Sequence, residues 1–467
     1  MKKIYSVLIA FIIVFSFVFS SFENVFAEGK VLDLEAKSAV LMDYETGKVL
    51  YQKNGNVQIY PASTTKAWTA YLVIKNVSDL NKKITIGDLP YIEPSSMFLK
   101  KGETFTVREL LTALMVHSCN DVAYVLAQYV SGSIPEFADL MNKEAKSIGC
   151  NNTHFNNPNG LPDKNHYTTA RDMALIARKC MSDPIFREIV STKSVKFPAT
   201  KQYPQERVYT NSNKFLTSHS KINYRGKNID IKYDIVDGIK TGFTEAAGKC
   251  LLSSAVKNNQ RIIAAVFNST NYGIYLDSRT LLDYGFENYN SFTIMDKEDY
   301  ISTKRKWFTK EKKLIYQPEE SYSVVLPKGQ SLTDEFTFET DLQKTSLPIH
   351  SGEKVGNFYI YKNGKKFKTI NLIAKNDVTS KFAFLTENKF LRFIFSIIKL
   401  ILLAFIIFFI YFISKKYYRK YKRKQIKIKK AKKRQNSNNN KVNNKSNNVI
   451  KRDTGKSKNS TNQNHKK

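Results

Sequence analysis

A serine at position 63 and a lysine at position 66 stand three residues apart in PASTTKAWTA, residues 61–70. The proline and the apolar run after it predict a helix start here, and residues three apart on a helix share one face. A serine hydroxyl is a weak nucleophile until a base stands beside it. Lysine is that base only when its pKa falls far below the ordinary ~10.4, which burial and nearby positive charge both bring about. A helix N-terminus carries roughly half a positive charge. Local physics therefore resists a cation at Lys66 and at the same time supplies part of the shift a general base needs. The same terminus leaves backbone N–H groups free, and that of Ser63 is placed to face an oxyanion. Alone, S-x-x-K recurs by chance in many proteins.

Two further short motifs follow in order. HSCND holds Ser118 and Asn120 around Cys119, and DGIKTGFT holds Lys240, Thr241 and Gly242. Each has a plain structural reading: Ser118 and Asn120 suit a helix cap, and the glycine suits a strand end. Together the three motifs form the set found in penicillin-binding proteins and class A β-lactamases. Other chemistries lack their residues. No H-E-x-x-H occurs among the six histidines, and no G-x-S-x-G elbow occurs. TGKS at 454–457 ends like a phosphate loop, but Ile450 stands where that motif needs its first glycine.

On these motifs the chain resembles the serine D,D-peptidases of bacterial cell-wall metabolism. Its nearest likeness is to the low-molecular-mass penicillin-binding proteins, the D-alanyl-D-alanine carboxypeptidases of peptidase family S11. The likeness extends through SSMFLKKGETFTVRELLTALMVHSCNDVAYVLA, MNKEAKSIGCNNTHFNNPNGL, TTARDMALIA, NSNKFL and SRTLLDYGFENY, and LPKG and PIHSGEKVGNFYIYKNGK resemble the family's C-terminal β domain. It covers about residues 30–376.

The resemblance implies a role for each residue. Ser63 is the acyl-ester nucleophile that attacks the penultimate D-alanine carbonyl, and Lys66 accepts its proton. Ser118 relays a proton to the leaving amine, and Asn120 holds the substrate amide and orients Lys66. Lys240 keeps Lys66 deprotonated and attracts the terminal carboxylate, to which Thr241 hydrogen-bonds. Gly242 lets a strand edge approach, and the N–H of Phe243 joins that of Ser63 in the oxyanion hole. The implied partners are a peptidoglycan stem ending in D-Ala-D-Ala, β-lactams as covalent inhibitors, and a membrane; no cofactor or metal is implied. The middle of the second motif departs from the family pattern, with Cys119 where a small residue is usual. A class A β-lactamase would also need an E-x-x-L-N loop, and none lies between Asn120 and Lys240. A D,D-endopeptidase would use the same residues. Arg279 is read as a partner inside its own helix, and His117 and Cys119 as packing.

The elements that position these residues follow from periodicity. Ser38–Asp43 and Lys48–Tyr51 read as alternating strands about the turn Glu45-Thr46-Gly47. The run from Ala67 to Ile74 is apolar almost all round, so its helix is buried. TVRELLTALMVHSCNDVAYVLAQYVSG reads as two helices broken near Ser118-Cys119-Asn120, IPEFADLMNKEAKSIG as an amphipathic helix closed by Gly149, and TTARDMALIARKCMSD as another. Strands resume after Asn211, and LDSRTLLDYGFENY is a closing helix. The expected fold is α/β (α+β), a β-lactamase-like domain with helices on a central antiparallel sheet. Short strands with Gly and Asn-Gly turns over 291–376 predict a small all-β domain.

The chain has 467 residues and a formal charge of +33. From Lys415 onward stand 21 Lys or Arg and one acid, Asp453, so about +20 lies in the tail and +13 elsewhere. The body is only mildly basic, and a nucleic-acid partner is not supported. Residues 1–27 read as a secretory signal, with Lys2 and Lys3, an apolar run and Ala27 before the cut. Phe393–Ile413, 21 residues or about 31 Å of helix, are apolar apart from Ser396 and Lys399 and predict a membrane span. Lysines flanking its far end place the tail in the cytoplasm and the body outside. The expected division is a signal at 1–27, a peptidase domain at 28–290, a β domain at 291–376, a linker at 377–392, the span at 393–413 and a basic disordered tail at 414–467. Four cysteines with no C-x-x-C leave either one disulfide or free buried thiols.

Overall fold

The computed structural model describes residues 31–298, 300–343, 346–383 and 389–446. The expected signal at 1–27 lies outside the described residues. Two compact units emerge: Met1–Ser302 with Tyr316–Lys344 and Lys354–Ile373, and Thr303–Ile315 with Thr345–Glu353 and Ala374–Lys467.

The first unit opens with strands β1 (Ser38–Asp43) and β2 (Val49–Lys53). The helices α1 (Thr65–Asn76), α2 (Val107–His117), α3 (Asn120–Ser131), α4 (Ile134–Ser147), α5 (Ala170–Cys180) and α6 (Pro184–Val190) follow, with a single further helical turn at Lys214–Thr217. Strands β3 (Val236–Thr244), β4 (Gly248–Lys257) and β5 (Gln260–Ser269) then lead to α7 (Gly273–Asn288). The sheet order is β3-β4-β5-β1-β2, antiparallel throughout. Asn258 and Asn259 turn β4 into β5 at φ 52° and 60°, the backbone of a tight hairpin loop that asparagine tolerates.

The structure corrects one reading. Strand β1 is buried along its whole length rather than on one face, because helices cover both sides of the sheet. Side chains alternate across a strand, and the two sets enter different cores. Val40 and Met42 join Ile263, Ala265 and Phe267 in a core with Trp68, Leu114 and Ile176. Ala39 and Leu41 join Ile262, Ala264 and Val266 in a second core with Leu281, Leu282 and Phe286 of α7. Helix α1 is buried from Thr65 to Ile74, as its all-round apolarity requires. Thr106 and Glu109 form a capping box that starts α2, and Thr169 accepts from Asp172 N–H to start α5.

Further strands are β6 (Tyr289–Met295), β7 (Ser302–Arg305), β8 (Lys313–Pro318), β9 (Tyr322–Pro327), β10 (Phe336–Leu342), β11 (Lys354–Lys362) and β12 (Lys365–Ala374). In the first unit β6 pairs with β9, and β10, β11 and β12 pair in sequence order, all antiparallel. The second unit carries the long helix α8 (Lys389–Ser446), 58 residues. Among the described residues it is the one helix long and apolar enough to cross a membrane, with mean hydropathy 3.0 in its apolar window. Here too a reading changes: residues 414–446, expected to be disordered, continue the helix. Low hydrophobicity denies a segment its own core. It does not stop Lys-, Arg- and Gln-rich chain from extending a helix already nucleated by the apolar run. Residues 447–467 lie outside the described residues. Cys119, Cys150, Cys180 and Cys250 are free and buried.

Candidate active site

Ser63 sits in a single 3-10 turn, Ala62–Thr64, which runs directly into α1. Ala62 holds φ 47°, a strained value for a residue with a side chain. Lys66 lies one turn later and is fully buried. Its Nζ is 2.7 Å from Ser63 Oγ and donates to the Asn159 carbonyl at 2.7 Å. Burial holds the Lys66 ammonium well below the ordinary lysine range, and the charge of Lys240 pushes it further down.

Lys240 and Thr241 lie on β3, with Lys240 opposite Leu252 of β4. Burial lowers Lys240 to about 7. Its Nζ donates to the Thr241 carbonyl at 3.0 Å, and Thr241 Oγ1 lies 2.8 Å from Ser212 Oγ. Gly242 is the point where β3 meets the nucleophile turn. A Cβ there would stand 3.1 Å from both Ser63 N and Thr64 N and 3.2 Å from Ala62 Cβ. Strand edge and turn can approach this closely only because residue 242 has no side chain. The next residue, Phe243, is exposed, with Lys249 Nζ 3.8 Å over its ring.

Ser118 occupies the break between α2 and α3 in a left-handed conformation, φ 66°, and Cys119 is extended. Its neighbours report where it sits: burial lowers the His117 imidazole, and Lys240 lowers it further. The ring of His117 stacks on Tyr209 at 4.0 Å. Cys119 Sγ contacts the Ala113 carbonyl at 3.4 Å, and burial pushes its thiol up. Asn120 Nδ2 donates to the Glu93 carbonyl at 2.7 Å. The contact that orients Lys66 here is the Asn159 carbonyl. Arg279 stands 4.0 Å from Asp283 within α7 and 3.9 Å over the Tyr233 ring.

Three contributors were not singled out from the sequence. Asn159 acts through its backbone carbonyl, which leaves no signal in residue type. Gly160 has φ 82°, and a Cβ there would fall 1.9 Å from the Ala62 carbonyl. Ser212 supports Thr241, and its signal was present inside NSNKFL. Beside the turn opens a cavity of 260 Å³ lined in part by Tyr60, Ala62, Gly160, Lys164, His166 and Thr244. His166 Nε2 lies 3.0 Å from Thr65 Oγ1, and burial lowers its imidazole to about 4.

A serine hydroxyl against a buried lysine of lowered pKa, a second buried lysine and a strand edge against a helix start are the parts a serine acyl-transfer site needs. Known proteins agree. Residues 24–271 match the family model described as D-alanyl-D-alanine carboxypeptidase, and residues 289–380 match that of the penicillin-binding protein 5 C-terminal domain. The chain is 33% identical to the D-alanyl-D-alanine carboxypeptidase DacF of Bacillus subtilis, over 83% of this chain and 97% of the relative. It is 32% identical to DacA of Haemophilus influenzae, over 74% and 86%. The crystal structure of penicillin binding protein 5 from Haemophilus influenzae is 30% identical, with TM-score 0.57 over 75% of this chain and 100% of that one. The likeness thus runs through both the catalytic motifs and the β domain that follows them, and the chain belongs to the S11 peptidases, the D-alanyl-D-alanine carboxypeptidase family.

Proposed function

We propose that this chain is a serine-type D-alanyl-D-alanine carboxypeptidase that trims the terminal D-alanine from peptidoglycan stem pentapeptides. The observation that carries the reading is the 2.7 Å approach of Lys66 Nζ to Ser63 Oγ inside a buried, doubly lysine-lined site. Ser63 Oγ attacks the penultimate carbonyl while its proton passes to Lys66. The tetrahedral oxyanion accepts from the N–H groups of Ser63 and Phe243. Ser118 relays a proton to the D-alanine nitrogen as the C–N bond breaks, leaving an ester on Ser63. Water attacks that ester and restores the hydroxyl. Lys240 and Thr241 receive the terminal carboxylate, and Asn120 the substrate amide. β-Lactams present the same carboxylate and acyl carbon and acylate Ser63.

The apolar stretch of α8 supports membrane attachment. In this reading the signal directs export, α8 crosses once at 393–413, the peptidase faces outward and the basic tail faces the cytoplasm. The test is D-alanine release from a pentapeptide ending in D-Ala-D-Ala by the detergent-solubilised chain, beside Ser63→Ala. We expect release and a penicillin adduct on Ser63 by mass spectrometry, both lost in the variant. A wild type with neither activity refutes the proposal. Protease added to intact cells should spare the tail; its digestion from outside overturns the orientation.

A further inference from the structure

The turn between β7 and β8 joins charge and aromatic surface of one kind. Between Thr303 and Lys313 stand Lys304, Arg305, Lys306, Lys310, Lys312 and Lys313 against a single acid, Glu311. Trp307 is 67% exposed and Phe308 69%, with Phe382 at 50%. These rings are gathered rather than scattered. Phe308 and Phe382 lie 6.1 Å apart, and the Arg305 guanidinium sits 4.0 Å over the Trp307 ring. Clustered exposed aromatics mark a contact surface more than lone apolar residues do.

The backbone works to hold them there. Phe308 and Lys312 take φ 62° and 63°, values a bulky residue keeps only where its surroundings impose them. Lys306 N–H donates to the Lys312 carbonyl at 2.9 Å and closes the turn. The segment Thr379–Lys381 clamps it from the side: Lys310 N–H donates to the Thr379 carbonyl at 3.0 Å, and Lys381 N–H to the Phe308 carbonyl at 2.9 Å. The Glu311 carboxylate accepts from Thr379 N–H at 2.7 Å and Oγ1 at 2.8 Å. The acid of the turn is thereby engaged by the clamp, which precedes α8 in the sequence. Lys389, where that helix begins, is seven positions after Phe382, at most about 25 Å of fully extended chain.

We propose that this turn is a second membrane contact. Trp307, Phe308 and Phe382 enter the headgroup region of the leaflet from which α8 descends, and the surrounding Lys and Arg side chains bind anionic phospholipid. Tryptophan favours that depth, where its ring is apolar and its N–H stays wet, and basic residues beside a span are drawn to anionic lipid. A soluble anionic wall polymer would satisfy the charges and leave the rings unused. The proposal rests on α8 being a membrane span. A span alone lets the second unit swivel; a second contact fixes how that unit stands on the surface.

The chain holds two tryptophans, and Trp68 is only 1% exposed, so Trp307 reports on its own surroundings. The full chain is reconstituted in phosphatidylglycerol–phosphatidylcholine vesicles with lipid brominated near the headgroups, and vesicle flotation is scored in parallel. We expect Trp307 emission to shift blue and lose intensity, the change to vanish in Trp307→Phe, and most of it to vanish in the triple variant K304E/R305E/K312E while that variant still floats. Unfolding transitions by circular dichroism that match the wild type show that the variants are folded. Protein that floats with Trp307 unquenched overturns the second contact and leaves the span intact; protein that does not float overturns both. A blue shift produced by a soluble anionic wall polymer and not by vesicles assigns the patch to the polymer and overturns the proposal.

Discussion

Replacing Lys240 by methionine tests the electrostatics of the site, because it removes the charge while nearly keeping the volume. Lys240 is buried and lowered to about 7, while Lys66 is held well below its ordinary range by burial and by Lys240 itself. For Lys66 to serve as base it must lose its proton before Lys240 does. In the proposed mechanism acylation of the free enzyme needs Lys66 neutral as base and Lys240 charged for the carboxylate. The wild-type kcat/KM profile should then be a bell whose falling limb lies at about 7. With that pKa, Lys240 is about nine-tenths charged at pH ~6 and about one-tenth at pH ~8, a roughly tenfold fall in kcat/KM. A bound carboxylate favours the ammonium, so the same limb in kcat should move to higher pH. In Lys240→Met the falling limb disappears. The rising limb moves to higher pH, since no cation pushes Lys66 down. The height drops by about 2–5 kcal/mol for an unpartnered carboxylate, roughly 30- to 4,000-fold. The assay is the second-order rate of Ser63 acylation by a fluorescent penicillin across pH. A falling limb that survives the substitution belongs to another group, and a rising limb that moves to lower pH gives the coupling the wrong sign; either result refutes this account.

Gly160→Ala places a methyl at φ 82° and 1.9 Å from the Ala62 carbonyl. We expect a loss of about 2–4 kcal/mol in the thermal unfolding transition and slower Ser63 acylation, combining the left-handed backbone cost with overpacking. Gly226→Ala has a similar φ of 78° and no atom within 4 Å, so it should show only the backbone cost of about 1–2 kcal/mol; equal losses at the two sites would remove the collision from the argument. The Arg207–Glu103 pair, at 2.8 Å with side chains 2% and 0% exposed, ties the short strand Arg207–Thr210 to the loop at 97–103. Arg207→Ala leaves a buried carboxylate without its counter-charge, though still hydrogen-bonded by Thr200 Oγ1 and Lys100 N–H, and should cost about 3–5 kcal/mol in chemical denaturation, whereas the double change Glu103→Met with Arg207→Met should recover part of it; no recovery would mean that the pair acts through something besides its charges.

What the sequence disclosed depended on distance along the chain. Ser63 and Lys66 were legible because one helical turn joins them. Lys240 and Ser118 became legible only through family resemblance, since no periodicity shows which strand edge or helix break meets that turn. Asn159 stayed hidden because a main-chain carbonyl looks the same in every residue type. Gly160 showed only inside a stretch of family likeness, with nothing to say that Ala62 lies against it. The fold behaved in the same way. The buried helix and the break at Ser118-Cys119-Asn120 read directly from pattern. The double burial of β1 did not, because it is decided by α5 and α7, which come much later. The helix beyond Ile413 was misread because composition tests whether a segment can build a core, not whether it can prolong a neighbour.

The position of Asn159 bears on which way the Ser63–Lys66 hydrogen bond runs. A lysine ammonium has three donors and no acceptor, so it could only donate to Ser63 and would leave the hydroxyl unactivated. Loss of one proton leaves two donors and a lone pair. A carbonyl can only accept, so the Asn159 oxygen at 2.7 Å fixes one N–H of Lys66. Fixing that bond limits the rotation of the amine and lets its lone pair be directed at Ser63 Oγ, 2.7 Å away, with the hydroxyl as donor. Burial and Lys240 lower the pKa, but neither gives the lone pair a direction. The helix start that seemed only to oppose a cation is thus one contribution among several. In the proposed mechanism desolvation makes Lys66 a base, Lys240 keeps it one, and a backbone carbonyl 93 residues away aims it.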